Sequence, residues 1–204
     1  EEFADKTAIV MNGREVAYAD LGKNIRKAAS VLKNMDLNAG DRIILSAHKD
    51  VEYVYLYFAA HILGVTNVIV DAESNEERLH FIENKIRPAC CFGYKSSNFS
   101  SKLFDELDLN NAEELSESAA TLASTDIAEI LFTTGTTGDP KGVCLSYNNI
   151  YSSASNINGY IGTQADDVEL LGLPICHSFG MGRIRCSLMK GATIVILGNF
   201  ANVR

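Results

Sequence analysis

The residues best suited to chemistry form one short segment, Thr133-Thr134-Gly135-Thr136-Thr137-Gly138-Asp139-Pro140-Lys141-Gly142. Its glycines remove the Cβ barrier to positive φ, so successive backbone N–H groups can turn toward one point and form an anion-binding concavity. The four threonine hydroxyls add further hydrogen-bond donors. Lys141 adds a compact, mobile cation, and Pro140 fixes the backbone beside it. This composition predicts a loop that holds phosphate oxygens.

Apolar runs flank this segment on both sides. Residues 127–132 predict a buried strand, and residues 143–145 predict a second, shorter one. Ser146 suits the N-cap of a helix predicted for residues 147–161, so the loop would lie between a strand end and a helix start, where ligands commonly bind. It is not a Walker A loop, because Lys141 is followed by glycine and not by serine or threonine. An ordinary flexible hairpin loop is the alternative interpretation.

A second candidate site lies in the sequence Leu173-Pro174-Ile175-Cys176-His177-Ser178-Phe179-Gly180-Met181. It leaves a strand predicted for residues 168–173 and enters a helix predicted for residues 180–190. A lone histidine at a strand end is often structural, but the loop upstream and the neighbouring residues favour a site role for His177. Phe179 and Met181 are candidates either for an apolar pocket or for the core. A cysteine nucleophile at Cys176 is not expected, since no orienting third group or oxyanion hole accompanies it.

The rest of the chain alternates strand and helix patterns. Asn12-Gly13 suits the turn of a β-hairpin between residues 8–11 and 14–18. An apolar stripe at three- and four-residue spacing predicts a helix over residues 19–35. Further predicted strands cover residues 42–47, 65–70, 89–92 and 192–197, and further predicted helices cover residues 51–63, 74–86 and 101–107. This alternation predicts an α/β fold, a layered β-α-β sheet with helices on both faces.

The composition excludes several classes of function. With 204 residues, 47% of them hydrophobic, the chain can bury a sizeable core. A net charge of −8 argues against nucleic acid or an anionic membrane as partner, since both favour a basic face. The longest apolar run, residues 54–65, is too short to span a bilayer, and the start has neither a signal-peptide pattern nor an initiator methionine, which suggests a trimmed N-terminus. Five cysteines without a C-x-x-C pair favour a reduced, cytoplasmic protein.

The loop resembles the glycine-rich signature of the adenylate-forming (ANL) superfamily, which includes AMP-dependent acyl-CoA synthetases, peptide-synthetase adenylation domains and firefly luciferase. The segment around His177 resembles a second motif of the same superfamily, and residues 17–21 and 40–43 give shorter matches. Family members often have histidine where this chain has Tyr147, whereas Asn149 matches. The resemblance covers nearly the whole chain but less than half of a typical family enzyme. It divides the chain into a β-α-β segment (1–93), an acidic connection (94–125) and a phosphate-loop and acyl-site segment (126–204), all parts of one N-terminal domain.

The resemblance implies an ATP-dependent ligase that joins a carboxylic acid to a thiol through an acyl-AMP intermediate. Phosphate contacts are then expected from Thr133, Thr134, Gly135, Thr136, Thr137, Gly138, Lys141 and Gly142. His177 is expected to place the substrate carboxylate. The cofactors implied are ATP, Mg²⁺ with its ligands outside this chain, and CoA or a carrier-protein thiol. The aspartate that pairs with amino-acid substrates is missing after Phe179, which favours an acid without an α-amino group.

Other interpretations stay open at this level. Because the family's adenine, ribose and acyl-transfer motifs lie downstream, the chain alone is expected to be inactive, with self-association through exposed apolar surface as a further expectation. The parent could be an adenylation domain that serves a carrier protein. The chain could also be a non-catalytic nucleotide or pyrophosphate binder, or a structural half-domain whose loop is vestigial.

Overall fold

The computed structural model describes residues 2–116, 120–133 and 140–198, which form a mixed α/β structure. The strands are β1 (Thr7–Met11), β2 (Arg14–Ala17), β3 (Arg42–Ala47), β4 (Thr66–Asp71), β5 (Cys90–Phe92), β6 (Ser101–Lys102), β7 (Ile127–Thr133), β8 (Lys141–Ser146), β9 (Val168–Leu171) and β10 (Thr193–Ile196). The helices are α1 (Tyr18–Asn34), α2 (Val51–Leu63), α3 (Glu76–Ile86), α4 (Tyr147–Ile161) and α5 (Ser178–Met189). The predicted α/β class is confirmed.

The described strands form two sheets. The larger has the order β6-β5-β3-β4-β7-β8, and all its neighbours are parallel except β7 and β8. The smaller has the order β2-β1-β10-β9, in which β1 pairs in parallel with β10 from the other end of the chain. Parallel strands need crossover connections. Helix α2 connects β3 to β4, and helix α3 connects β4 to β5.

Apolar burial explains why helices cover both faces of the larger sheet. Helix α3 packs Ile82 and Ile86 against one face, in a cluster with Ile44, Val68 and Val70. The opposite face belongs to the larger core, which also takes in α1, α2 and the smaller sheet. Helix α2 is buried along consecutive residues, Tyr53 to Tyr57, as expected of a helix that is apolar all round. None of the described helices is both long enough and apolar enough to cross a membrane.

Two predictions about local structure are wrong. Residues 101–107 are not a helix, because Ser101–Lys102 pair as an edge strand with β5 and only Phe104–Glu106 make a 3₁₀ turn. The described ends of the predicted loop, Thr133 and Lys141, also do not lie beside the start of the following helix. Strand β8 is longer than expected, and its register pairs Thr133 with Lys141 and Ile127 with Ser146. Helix α4 therefore begins at the end of the β7–β8 pair opposite to Thr133 and Lys141.

Replacing Gly64 by alanine should destabilise the protein more than the same change at Gly162. Both glycines end a helix in the left-handed region, with φ of 74° and 76°. A Cβ at Gly64 would lie 2.7 Å from Leu122 Cδ2 and 2.9 Å from Ala39 Cβ, whereas nothing lies within 4 Å at Gly162. We expect about 1–2 kcal/mol of backbone strain in both variants and roughly 1–3 kcal/mol more at Gly64. Urea unfolding measures the difference, and equal losses would contradict the steric argument.

Candidate active site

A cleft of about 480 Å³ opens where β4 and β7 end and α5 begins. Strands β4 and β7 are parallel neighbours, so their carboxyl ends, Asp71 and Thr133, meet at one edge of the sheet. Thr133 and His177 both line this cleft. The structure therefore brings the first residue of the predicted phosphate loop next to the predicted site histidine, across 44 positions of sequence.

His177 is fixed by backbone hydrogen bonds, and its imidazole is exposed at the cleft. It is the N-cap residue of α5, with extended backbone angles, and its carbonyl accepts the Met181 N–H at 3.1 Å. Its side chain makes no capping hydrogen bond, and the residue is exposed. The N–H of His177 faces the Pro174 carbonyl at 3.4 Å, which folds the preceding segment back toward the helix start.

Gly180 is required by this fold-back. A Cβ at position 180 would lie 2.2 Å from the Pro174 carbonyl oxygen, so only glycine lets the first turn of α5 pass that carbonyl. The neighbouring candidates for an apolar pocket divide between surface and core. Phe179 is 61% exposed, whereas Met181 is buried and its sulfur accepts the Tyr53 hydroxyl at 3.9 Å. Met181 is therefore a core residue.

The hairpin places Lys141 directly across from Thr133. The Thr133 hydroxyl donates to the Lys141 carbonyl at 3.4 Å, and the lysine side chain is exposed. Its ammonium makes no hydrogen bond or ion pair with any residue in 2–116, 120–133 or 140–198. Gly142 faces Phe132 in the same ladder, where a Cβ would come within 3.3 Å of the ring. Thr134, Gly135, Thr136, Thr137 and Gly138 lie outside the described residues.

The cleft also contains residues that the sequence did not single out. Arg78, from the first turn of α3, donates through Nη2 to the Phe132 carbonyl at 3.2 Å and brings a guanidinium to the end of β7. Cys176 donates its S–H to Asp71 Oδ2 at 3.4 Å. Burial, and then the Asp71 carboxylate, raise the pKa of this thiol to about 12, so it stays protonated. This agrees with the expectation that Cys176 is not a nucleophile.

The family of this chain follows from its similarity to known proteins. A family model described as AMP-binding enzyme matches residues 1–204. The chain belongs to the AMP-binding enzyme family. The predicted resemblance to adenylate-forming enzymes is thereby confirmed.

Relatives of this chain include CoA ligases. It is 28% identical over 207 residues to the 2-succinylbenzoate–CoA ligase of Bacillus subtilis (strain 168). That alignment covers 97% of this chain and 42% of the relative. O-succinylbenzoate Coenzyme A synthetase (MenE) from Bacillus subtilis, in complex with AMP, has a TM-score of 0.88 at 25% identity, covering 97% of this chain and 54% of that one. Apo MatB from Rhodopseudomonas palustris also has a TM-score of 0.88, at 23% identity, covering 97% and 43%. The chain spans less than half the length of the curated relatives it matches.

A buried ionic network links the two sides of this cleft behind its surface. Glu129 lies on β7 with 0% exposure, and Arg185 lies on α5 with its side chain 10% exposed. Arg185 Nη1 lies 2.5 Å from Glu129 Oε1 and 2.7 Å from the Tyr57 hydroxyl, which itself donates to Glu129. The network links the strand that ends at Thr133 to the helix capped by His177. The only sign of it in the sequence is a charged residue within each of two apolar elements, since buried charges need partners.

His61 packs against the same network without taking part in its hydrogen bonds. Its ring contacts Tyr57 and Tyr147, and its Nε2 is buried without a partner among the described residues. Burial, and then the nearby Arg185 charge, lower the pKa of His61 to about 3. The imidazole is therefore neutral at physiological pH.

Replacing Glu129 by glutamine should destabilise the protein by about 3–5 kcal/mol, because Arg185 would keep a buried charge without its counter-charge. The double variant Glu129→Leu/Arg185→Met removes both charges and should cost far less. Glu52→Gln serves as the control, since it breaks the exposed Glu52–Arg14 pair on α2, which is worth about 1 kcal/mol or less. Urea unfolding at pH 7 separates these cases. A loss at Glu129 no larger than that at Glu52 would disprove the role of the buried pair.

His61 should make the protein less stable in mild acid. Because the pKa of about 3 in the folded state lies below the ordinary 6.5, the unfolded chain binds a proton first as the pH falls. The contribution of neutral His61 to the free energy of unfolding is complete above pH 6.5 and decreases toward pH 3. The free energy of unfolding should fall by about 2 kcal/mol between pH 7 and pH 5 for this reason. His61→Phe should remove this part of the pH dependence. Phe58→Leu, which alters packing on the same helix without removing a titratable group, should retain it. Unfolding curves at both pH values provide the measurement, and an unchanged slope in His61→Phe would refute the assignment.

Proposed function

We propose that this chain provides the phosphate- and carboxylate-binding part of an AMP-forming acid–thiol ligase. The observation that carries the proposal is the convergence of Thr133 and His177 in one cleft, with the exposed Lys141 paired opposite Thr133 in the β7–β8 ladder. A strand end, a helix start and a nearby lysine suit the anionic substrates of such a reaction. We also propose that the segments 1–93, 94–125 and 126–204 belong to a single domain, since β1 pairs with β10.

The proposed reaction has two steps. A carboxylate oxygen attacks the α-phosphorus of ATP, the bond to the β-phosphate oxygen breaks, and pyrophosphate leaves as acyl-AMP forms. A thiol, which we take to be that of CoA, then attacks the acyl carbon, loses its proton and displaces AMP. A carrier-protein thiol is the alternative acceptor. The whole activity belongs to a polypeptide as long as the relatives, so we propose that the 204 residues alone turn over little or no substrate.

The residues of the cleft have distinct proposed roles in the first step. Negative charge accumulates on the departing pyrophosphate, so donors fixed in advance around its oxygens lower the barrier. We assign this role to Thr133, to Lys141 with Gly142, and to the loop residues Thr134, Gly135, Thr136, Thr137 and Gly138. His177 would place the substrate carboxylate against the α-phosphate, since its imidazole faces the cleft from the start of α5.

A magnesium ion, when bound with ATP, would neutralise part of the phosphate charge. Within residues 2–116, 120–133 and 140–198, no three His, Cys, Asp or Glu side chains are grouped so that they could hold a metal. We therefore assign none of these residues to the ion. A cytoplasmic location is part of the proposal, because ATP and CoA are available there and five cysteines are free in the structure.

Replacing Lys141 by alanine in the full-length protein should lower acid-dependent ATP–pyrophosphate exchange about 10²-fold in kcat/KM, since one charged donor to the leaving group is lost. Lys23→Ala, which removes an exposed lysine on α1, should leave the rate unchanged. The assay uses a panel of straight-chain and aromatic carboxylic acids. Equal rates for the Lys141 and Lys23 variants would contradict the assignment. Saturable ATP binding without exchange for any acid would instead favour a non-catalytic nucleotide binder.

A further inference from the structure

Arg78 reaches the cleft from the face of the larger sheet opposite to that of His177. It belongs to the first turn of α3, which packs on one face of this sheet, whereas α5 packs in the core on the other face. Its Nη2 donates to the Phe132 carbonyl at 3.2 Å. Phe132 precedes Thr133, the first residue of the predicted phosphate loop, and both line the cleft with Arg78. The guanidinium therefore lies beside the start of that loop.

Most of the hydrogen-bonding capacity of this guanidinium is unused within the described residues. A guanidinium has five N–H donors, and the bond to the Phe132 carbonyl uses one of them. Nε and Nη1 of Arg78 have no acceptor among the described residues, and neither atom is closed off from solvent. A group that enters the cleft can therefore reach them.

The charge of Arg78 has no carboxylate at ion-pair distance in the part of the chain that the structure describes. Asp71 lines the same cleft, but its Oδ1 accepts the Glu73 N–H at 3.0 Å and its Oδ2 accepts the Cys176 S–H at 3.4 Å. Four other arginines each pair with a glutamate: Arg14, Arg26, Arg183 and Arg185. Burial and the Asp71 carboxylate raise the pKa of the Cys176 thiol, and the charge of Arg78 opposes them. An accessible cation of this kind favours an anionic ligand.

The position of Arg78 decides which of the two anions of the proposed reaction it meets. The acid carboxylate is assigned to His177, which enters the cleft at the start of α5. The phosphates are assigned to the loop that begins at Thr133, and Arg78 lies on that side. The planar fork of an arginine matches two oxygens of a phosphate group. Its bond to the Phe132 carbonyl fixes the guanidinium in advance, which makes it effective against charge that develops during the reaction.

We propose that Arg78 binds the β- and γ-phosphate groups of ATP and holds them as pyrophosphate leaves, in addition to Lys141 and the loop. This inference rests on the proposed ligase function, because it adds a residue to the first step of that reaction. Arg78 neither gives nor takes a proton in this step. Its N–H groups donate to the oxygens that gain negative charge when the bond between the α-phosphorus and the β-phosphate oxygen breaks.

Two variants of Arg78 in the full-length protein test the proposal by ATP–pyrophosphate exchange. Arg78→Gln keeps an N–H donor for the Phe132 carbonyl but removes the charge, whereas Arg78→Lys keeps the charge but removes the fork. We expect kcat/KM for ATP to fall about 10²-fold in Arg78→Gln and about tenfold in Arg78→Lys. The KM for the acid should change less than about twofold, since the carboxylate lies elsewhere. Calorimetry with magnesium pyrophosphate should show affinity lost in the same order.

Arg26→Gln provides the matched control, because Arg26 forms an exposed pair with Glu114 and does not line the cleft. It should leave both the exchange rate and the pyrophosphate affinity unchanged. If Arg78 served only to hold the Phe132 carbonyl, Arg78→Gln would retain both values and the inference would be overturned. Should Arg78→Gln not fold, unchanged values in Arg78→Lys would overturn it instead.

A second assay, in which preformed acyl-AMP reacts with CoA, separates two sources of phosphate. A loss confined to this assay would assign Arg78 to the phosphates of CoA and would overturn the inference. In each of these cases the ligase function would stand. Exchange with no acid of any kind in the unmodified protein would overturn both.

Discussion

The contact between Glu129 and Arg185 constrains the rest of this structure. It joins β7, which ends at the first residue of the predicted phosphate loop, to the helix that His177 caps, and both groups are withdrawn from water. Two buried charges gain little net free energy from pairing, because the loss of hydration offsets most of the attraction. Their effect is on geometry, since any displacement of β7 relative to α5 would separate charges in a medium of low dielectric constant. The Tyr57 hydroxyl extends the same constraint to α2 at the centre of the core.

The cleft follows from this arrangement and from the parallel pairing of β4 with β7. Parallel neighbours end at the same edge of a sheet, so their last residues, Asp71 and Thr133, delimit one opening. The turn at residues 174–177 then brings the start of α5 to that opening, and Gly180 permits the approach because it has no side chain to strike the Pro174 carbonyl. The antiparallel strand β8 places Lys141 opposite Thr133. The Thr133 hydroxyl and the His177 imidazole thus line one cleft although they lie 44 positions apart in the sequence.

Local sequence patterns predicted most of the helices and strands, because the residues of each pattern are buried or end the element as that pattern implies. The stripe of α1 buries Leu21, Ala28, Ala29 and Leu32, and Gly64 ends α2 in the left-handed region, as helix-terminating glycines do. Residues 101–107 misled the helix prediction, because their apolar spacing is helical but Ser101 and Lys102 find hydrogen-bond partners on the exposed edge of β5. Arg78, which lines the cleft, and Arg185, which lies behind it, belong to no recognisable sequence motif. An arginine reveals its partner only when another element packs against it.

The sequence by itself determined the α/β class, the positions of nearly all helices and strands, and the segment suited to phosphate. Those properties depend on periodicity, on turn residues and on the chemistry of neighbouring side chains. The tertiary structure alone decided that the strands divide into two sheets, that Thr133 lies at the end of the hairpin away from α4 and in one cleft with the start of α5, and that Glu129 and Arg185 form a buried pair. The physical reason is that these features arise from pairings between distant parts of the chain, whose energies depend on burial and charge compensation that no local pattern records.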